Sequence, residues 1–326
     1  MPQESPASKL GRETPATFKG SEENKTPLFS VVMAVYNDWT PLDRCLQSLS
    51  EQTNPPDFEV IIVDDGSGQP APEFIGDWSR FFPLTLIRQG HSGISAARNR
   101  GIQISRGSVL VFADADCRFQ MECLAQLGSA IADSTQRDYF QLHLVGDRSR
   151  LVGRTEELRL LTVQEHLLQP NGCIRYLNTA GFALRRARVD IEKGAFDPAA
   201  VRAEDTLLLA NLMQNGELPF FVPEAIIEHA IPLSLSGCLR KDFRSGYLEE
   251  KTYEIIASKG VKIRVGHGDR FSMLLAMWKT SSQRSIGRSA WFVLTLRQIL
   301  RRIAGFVFRC LHSQRKSRNG LTELAI

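Results

Sequence analysis

Residues 111–117 read VFADADC. The run from Val109 to Ala113 is apolar at every position, the pattern of a strand buried on both faces, and such strands belong inside parallel sheets. It stops on two aspartates, Asp114 and Asp116, with one alanine between them. Along an extended strand, residues i and i+2 project the same way, so the two carboxylates are expected side by side with Ala115 turned away. Adjacent carboxylates repel. A hard cation such as Mg2+ or Mn2+, which takes oxygen ligands and shares them with substrate phosphates, would offset that repulsion. The plainer reading of the same residues is a solvated strand end with ordinary turn chemistry.

Outward from this strand the same grammar repeats. FSVVMAV (29–35) is a short apolar run fit for a buried strand. Thr40 and Pro41 then open a helical pattern with Leu42, Cys45, Leu46 and Leu49 at helix spacing. EVIIVDDGSG (59–68) is a second strand running into a turn, TLIRQ (85–89) a third, and YFQLHLVG (139–146) a fifth. Between the third strand and the one ending at Asp116, GISAARNRGIQIS (93–105) reads as a helix with small or apolar Ala96, Ala97 and Ile102. Strands alternating with helices predict an α/β domain with a mostly parallel sheet covered on both faces. Ligands of such sheets bind beyond the carboxyl ends of the strands. Asp64 and Asp65 end one strand and Asp114 and Asp116 another, so all four are expected over one crevice.

At 326 residues with 43% apolar content the chain can hold one large domain or two ordinary ones, with a real core. Six scattered cysteines without a CxxC pair argue against a zinc site or a disulfide scaffold and suit a reducing cytosol. Residues 1–27 are polar and rich in Pro, Ser, Thr and Glu, without an apolar core of the signal-peptide kind. They are expected to be a disordered tail. The net charge of +4 is unevenly spread: residues 271–320 hold ten Lys or Arg and no Asp or Glu, leaving a mildly acidic body.

Taken in order, the segments SVVMAVYND (30–38), LDRCLQSLSEQT (42–53), VIIVDDGS (60–67), GISAARNRGI (93–102) and LVFADADC (110–117) resemble the inverting family 2 glycosyltransferases of the GT-A fold. After a gap near 136–175, where no motif is assignable, the resemblance returns in TAGFALRRARVD (179–190), GAFDPAAVRAEDTLLLANLMQNG (194–216) and VPEAIIEHA (222–230). It implies a GT-A (Rossmann-like) mixed, mostly parallel sheet flanked by helices over residues 28–232. A C-terminal helical, basic extension over 233–326 follows.

The resemblance implies a nucleotide-diphosphate sugar donor, most often UDP-linked, and a sugar or lipid-linked acceptor. Val35 and Tyr36 would face the nucleotide, Tyr36 either packing on the base or serving as a core aromatic. In a uracil site Asp65 would accept from the imide N–H and Arg98 would donate to a carbonyl. Asp64 beside it would share the donor site or bind its own Gly-Ser turn. Asp116 would hold Mg2+ or Mn2+, and Asp114 would sit nearer the ribose or a metal-bound water. His229 would help hold metal or diphosphate, or be structural. Asp205 would be the general base and Glu204 would orient the acceptor or the helix start. Both stand in the first turn of an apolar-periodic helix, where the ionised carboxylate is favoured. Arg240, Lys241 and Arg244 offer positive charge near the diphosphate, with Lys241 read as solvated.

Neither the Gln-x-x-Arg-Trp signature nor the membrane spans of the processive synthases are found in the sequence, which points to transfer of single residues. No nucleic-acid partner is expected. A nucleotidyltransferase would need a Gly-rich phosphate loop after the first strand, and MAVYNDWTP has no glycine. A catalytically inactive GT-A-like binding protein is the other alternative, although the acids of the pattern are all present. The segment 289–311 alternates apolar residues with Arg297, Arg301, Arg302 and Arg309. It is expected to lie on an anionic membrane surface with its arginines toward lipid, placing a cytoplasmic protein on the membrane's cytoplasmic face, or else to pack on the catalytic domain or form an oligomer contact with a solvated basic face.

Overall fold

The computed structural model describes residues 16–18, 26–230, 233–261 and 267–322. In chain order the elements are β1 (Ala16–Phe18), β2 (Phe29–Val35), α1 (Trp39–Ser50), β3 (Phe58–Asp64), α2 (Phe74–Asp77), β4 (Leu84–Arg88), α3 (Ile94–Ile104), β5 (Val109–Asp114), β6 (Cys117–Phe119), α4 (Cys123–Asp133), β7 (Tyr139–Gly146), α5 (Leu151–Leu167), β8 (Phe182–Arg185), α6 (Glu204–Gln214), β9 (Phe220–His229), α7 (Leu235–Ser258), α8 (His267–Gln283) and α9 (Arg288–Thr322). One sheet runs β1-β4-β3-β2-β5-β8-β7-β9-β6. Strands β4, β3, β2 and β5 are parallel neighbours, as are β7 and β9. Strand β8 runs antiparallel between β5 and β7.

The all-apolar strands are buried on both faces because side chains alternate across the sheet. Val31, Met33, Val60 and Ile62 enter the core shared with α1 and α4. Val32, Ile61 and Val63 enter the opposite core with α3 and α6. Helix α3 lies close on β2 because Gly101 has no side chain: a Cβ there would come within 2.3 Å of Val32 Cγ1. Strand register then sets the site. Val35 is level with Asp64, Ala34 with Asp114, and Asp64 with Arg88, so the acidic strand ends share the carboxyl edge of the sheet.

Two expectations change here. Within the stretch read as a disordered tail, Ala16–Phe18 form a strand antiparallel to β4. The open backbone edge of β4 supplies the partners that a polar composition does not reveal. The other residues of that stretch up to 25 lie outside the described ones. The second change concerns α9, three of whose arginines pair with carboxylates of α7 while Arg302 stays exposed. Arg297, only 8% exposed, donates to Asp242 Oδ2 at 2.6 Å and to Thr155 Oγ1 at 2.8 Å. Arg301 pairs with Glu249, and Arg309 with Glu250 at 2.6 Å. The buried carboxylates Asp242 and Glu250 of α7 need cations, and α9 provides them. Close approach is allowed by Gly246, whose absent Cβ would meet the Arg301 carbonyl oxygen at 2.2 Å. A smaller core of Leu158, Met277, Ile286 and Leu294 joins α5, α8 and α9. Among the described residues, no helix is long and apolar enough to cross a membrane.

Arg297→Met strands the Asp242 carboxylate, 5% exposed, without its cation. A loss of about 3–5 kcal/mol is expected from the shift in urea midpoint, whereas adding Asp242→Leu should restore most of it.

Candidate active site

The site is organised around a buried guanidinium. Arg98, on the inner face of α3, is 1% exposed. Its Nη1 donates to Glu204 Oε1 at 2.6 Å and its Nη2 to Asp114 Oδ1 at 2.8 Å, while its carbon stands 5.4 Å from the Phe196 ring. Burial pushes Arg98 toward losing its proton, and Asp114 and Glu204 outweigh that, so it stays charged. Against the expectation that Arg98 reaches a nucleobase carbonyl, its Nη1 and Nη2 face two carboxylates inside the protein, while its buried Nε has no hydrogen-bond partner. Its position in the sequence marked it, but a buried double ion pair across three elements leaves no trace in local spacing.

Strand β5 ends at Asp114, and Ala115 and Asp116 form a turn rather than continuing the strand. The two acids still converge, because β6 doubles back to pair with β9 and sets Cys117 opposite His229. One donor atom from each of Asp114, Asp116 and His229 lies within 4.8 Å of the others. His229 Nε2 is 3.3 Å from Asp116 Oδ1, and its Nδ1 is 3.5 Å from Glu156 Oε1. Burial alone would push the imidazole down, but Asp116 and Glu156 prevail and push it up to about 10. Asp116 is held below the usual carboxylate range despite its burial, by His229 and then by Lys241. A pair of carboxylates with one imidazole is a donor set that Mn2+ or Mg2+ accepts. The imidazole would have to give up its proton to serve as a ligand.

Asp205 occupies the first turn of α6, half-buried, with Oδ1 accepting from its neighbour Thr206 N at 2.6 Å. Position in a first turn favours the anion, yet burial and the adjacent Glu204 outweigh it and push Asp205 up to about 7. Ala203, just before, holds a left-handed φ of +59°, a conformation that costs an alanine.

At the β3 edge, Asp64 Oδ1 accepts from Ser67 N at 2.8 Å, so it caps its own turn. Asp65 receives Gln89 Nε2 at 2.8 Å and the backbone N–H groups of Ser92 and Gly93, each at 2.9 Å. Both oxygens of Asp65 thus hold the loop that leads into α3. Tyr36 is 47% exposed and stacks on His91 with ring centroids 4.4 Å apart, which excludes the core role. Val35 is buried, and its carbonyl oxygen accepts from Asp65 N at 2.8 Å.

Sequence reasoning missed Glu156, in the stretch without motifs. This residue, 3% exposed, is held well below the carboxylate range; burial opposes, and Arg159 and His229 prevail. Arg159 in turn contacts Tyr176, whose surroundings include Asp205. Glu156 and Arg159 sit at positions i and i+3 of α5, a pairing that also describes an ordinary exposed helix face, so nothing in the sequence singled it out. Lys241, read as solvated, is exposed but acts on both Asp116 and Asp38. A cavity of about 360 Å³ opens beside Asp116, lined also by Arg44, Arg118, Asp147 and Arg150.

A mixed sheet with a DxD turn at its carboxyl edge and an acidic helix start facing it defines a GT-A glycosyltransferase domain. Residues 30–189 match the family model described as glycosyl transferase family 2, and the chain carries a domain of that family. It is 34% identical over 112 residues to the putative glycosyltransferase EpsH of Bacillus subtilis (strain 168), covering 34% of this chain and 32% of that protein. To the glycosyltransferase AglE of Haloferax volcanii it is 35% identical over 109 residues, covering 32% of this chain and 36% of that one. The matches thus span about a third of these relatives' lengths. Among solved structures, the mannosyltransferase PcManGT from Pyrobaculum calidifontis, in complex with GDP-Man and Mn2+, superposes with a TM-score of 0.57 at 17% identity, over 87% of each chain. S. aureus TarS 1–349 in complex with UDP-GlcNAc gives 0.52 at 17% identity, over 89% of this chain and 91% of that one. These likenesses concern the fold.

Replacing Arg98 by Met leaves Glu204 buried and unpaired. The loss expected in chemical denaturation is about 3–5 kcal/mol, and Arg98→Lys, with one point charge for two partners, should recover only part of it.

Proposed function

We propose that the protein transfers a single sugar from a nucleotide-diphosphate donor, UDP-linked, to an acceptor hydroxyl with inversion at the anomeric carbon, Asp205 acting as general base. The observation that carries this reading is the Arg98 bridge. It fixes the start of α6, and with it Asp205, beside the DxD turn at the end of β5. A base pushed up to about 7 is matched to accepting a proton at neutral pH. Tyr36, exposed over the edge of the sheet, offers a ring on which a base can stack. In keeping with this reading, fold neighbours are complexed with UDP-GlcNAc or with GDP-Man and Mn2+.

Asp116, with Asp114 and His229, would hold the divalent cation, which as a Lewis acid neutralises charge on the leaving diphosphate. The chain's own residues do the rest. Glu156 orients the His229 ring, as outer-shell carboxylates do for imidazole ligands. Arg44 and Arg150 bring positive charge to the cavity beside Asp116, where a departing diphosphate needs it, while Arg118 there pairs with Glu228, and Asp147 adds a carboxylate. Asp205 takes the hydroxyl proton as the acceptor oxygen attacks the sugar carbon opposite the leaving group, through an oxocarbenium-like transition state. Glu204 is committed to Arg98, so its part is to position α6 rather than to bind the acceptor.

In Asp205→Asn, donor affinity measured by calorimetry should be retained while turnover falls by roughly a hundredfold or more. The base works ionised, so the wild-type rate should fall as pH drops through about 7. That acid limb should vanish from the variant's residual activity. A product of retained anomeric configuration by NMR contradicts the mechanism.

Mn2+ binding, followed by electron paramagnetic resonance, provides a separate check. Asp116→Ala should abolish most of it, and Glu156→Gln should weaken it by about 10–100-fold. Full turnover in excess chelator would rule out the metal.

A further inference from the structure

Helix α9 carries an apolar line that no described residue covers. Phe292, Leu296, Ile299, Ile303 and Phe306 are 62%, 51%, 47%, 50% and 60% exposed. Cys310 extends the line as an exposed thiol. Steps of four, three, four, three and four residues keep them on one stripe of a helix, about 27 Å long at 1.5 Å per residue. This is not the helix's packing face: Ala290, Leu294, Ala304 and Phe308 are buried against the rest of the protein. The helix therefore has two apolar faces, one used and one free. Contiguous exposed apolar surface of this extent marks an interaction site.

Charge selects the occupant. The ion pairs of α9 use Arg297, Arg301 and Arg309, which leaves Arg302 exposed beside Ile303 and outside them. Across 271–320 there are ten basic residues and no acidic one; Arg284, Arg297, Arg301 and Arg309 are offset by carboxylates elsewhere in the chain, and Lys279, Arg288 and Arg302 stand outside those pairs. A second copy docking through the same stripe would bring two such basic surfaces together, which like-charge repulsion opposes. An anionic bilayer offers acyl boundary to the stripe and negative headgroups to its basic flanks. We propose that this face of α9 rests on an anionic lipid surface. The orientation is the reverse of an arginine-outward helix: the pairs to α7 lock α9 with its apolar stripe already presented, so docking needs no refolding. Helix α7 also bears Lys241, which acts on Asp116. The lipid-facing stripe and the catalytic edge are therefore linked through one helix, an arrangement suited to an acceptor held at the membrane. The inference does not depend on the reaction proposed above.

The test is flotation of the full-length chain with phosphatidylcholine vesicles, with and without phosphatidylglycerol, alongside sedimentation velocity without lipid. Flotation with the anionic vesicles and a monomer without lipid are expected. Ile299→Gln/Phe306→Gln should cut the floated fraction by roughly tenfold or more, since binding scales with buried apolar area. Both positions face solvent, so the thermal transition should stay in place. Arg302→Glu, a second variant on the same face, should weaken binding to anionic vesicles alone. The proposal is overturned if the chain floats with neither composition, or if the double variant floats like the parent. It is equally overturned if the chain dimerises without lipid and the double variant abolishes the dimer, for then the stripe belongs to a second copy.

Discussion

A guanidinium that is 1% exposed cannot be left without partners, and Arg98 has two from different parts of the chain. Removing such a charge from water is expensive, and only close carboxylates offset it. Asp114 ends a strand, Glu204 starts a helix 90 residues later, and Arg98 lies between them on α3. By meeting that electrostatic demand, the fold brings a metal-type acidic turn and a base-type acidic helix start together. The α3 helix can reach both only because Gly101 lets it settle onto β2. A packing detail and a charge requirement thus fix the same geometry.

From that bridge a chain of charge runs around the edge of the sheet. On one side it passes through Asp205 toward Tyr176 and Arg159. On the other it passes through Asp116 and His229 to Glu156, which Arg159 also holds. Burial raises the stakes of every link, since unpaired ionised groups would be costly in so dry a place. The opposing directions of the shifts follow from surroundings rather than residue type. His229 and Lys241 hold Asp116 down against its burial, whereas burial and the adjacent Glu204 push Asp205 up against Thr206 and Arg98. Two aspartates so separated suit different tasks, one holding charge and the other moving a proton.

The central sheet was legible because its signal is local. Uninterrupted apolar runs such as Phe29–Val35 and Val109–Ala113 have one inexpensive home, between two helical layers. Their acidic ends follow from parallel geometry, which puts every carboxyl terminus on one edge. The DxD convergence was also anticipated, though for a different reason: the strand stops at Asp114, and the pairing of Cys117 with His229 turns Asp116 back. What stayed hidden depends on contacts far apart in sequence. Nothing near Arg98 announces burial, and Glu156 looks like one half of a common helix pair until β9 brings His229 to it. The ion pairs of α9 stayed hidden for the same reason, because the partners Asp242, Glu249 and Glu250 lie on α7, more than 50 residues earlier.

Five of the six cysteines, Cys45, Cys117, Cys123, Cys173 and Cys238, are buried, and Cys310 alone is exposed. Burial pushes the thiols of Cys45, Cys117 and Cys123 up, which suppresses the thiolate that alkylating reagents attack. The folded molecule therefore presents one sulfur to maleimide, and the unfolded chain presents six. The number of alkylated sites per chain, read by mass, is a direct count of global opening. A fluorophore placed on the native protein goes to a single known point on the outer line of α9, with no cysteine to be engineered in or out.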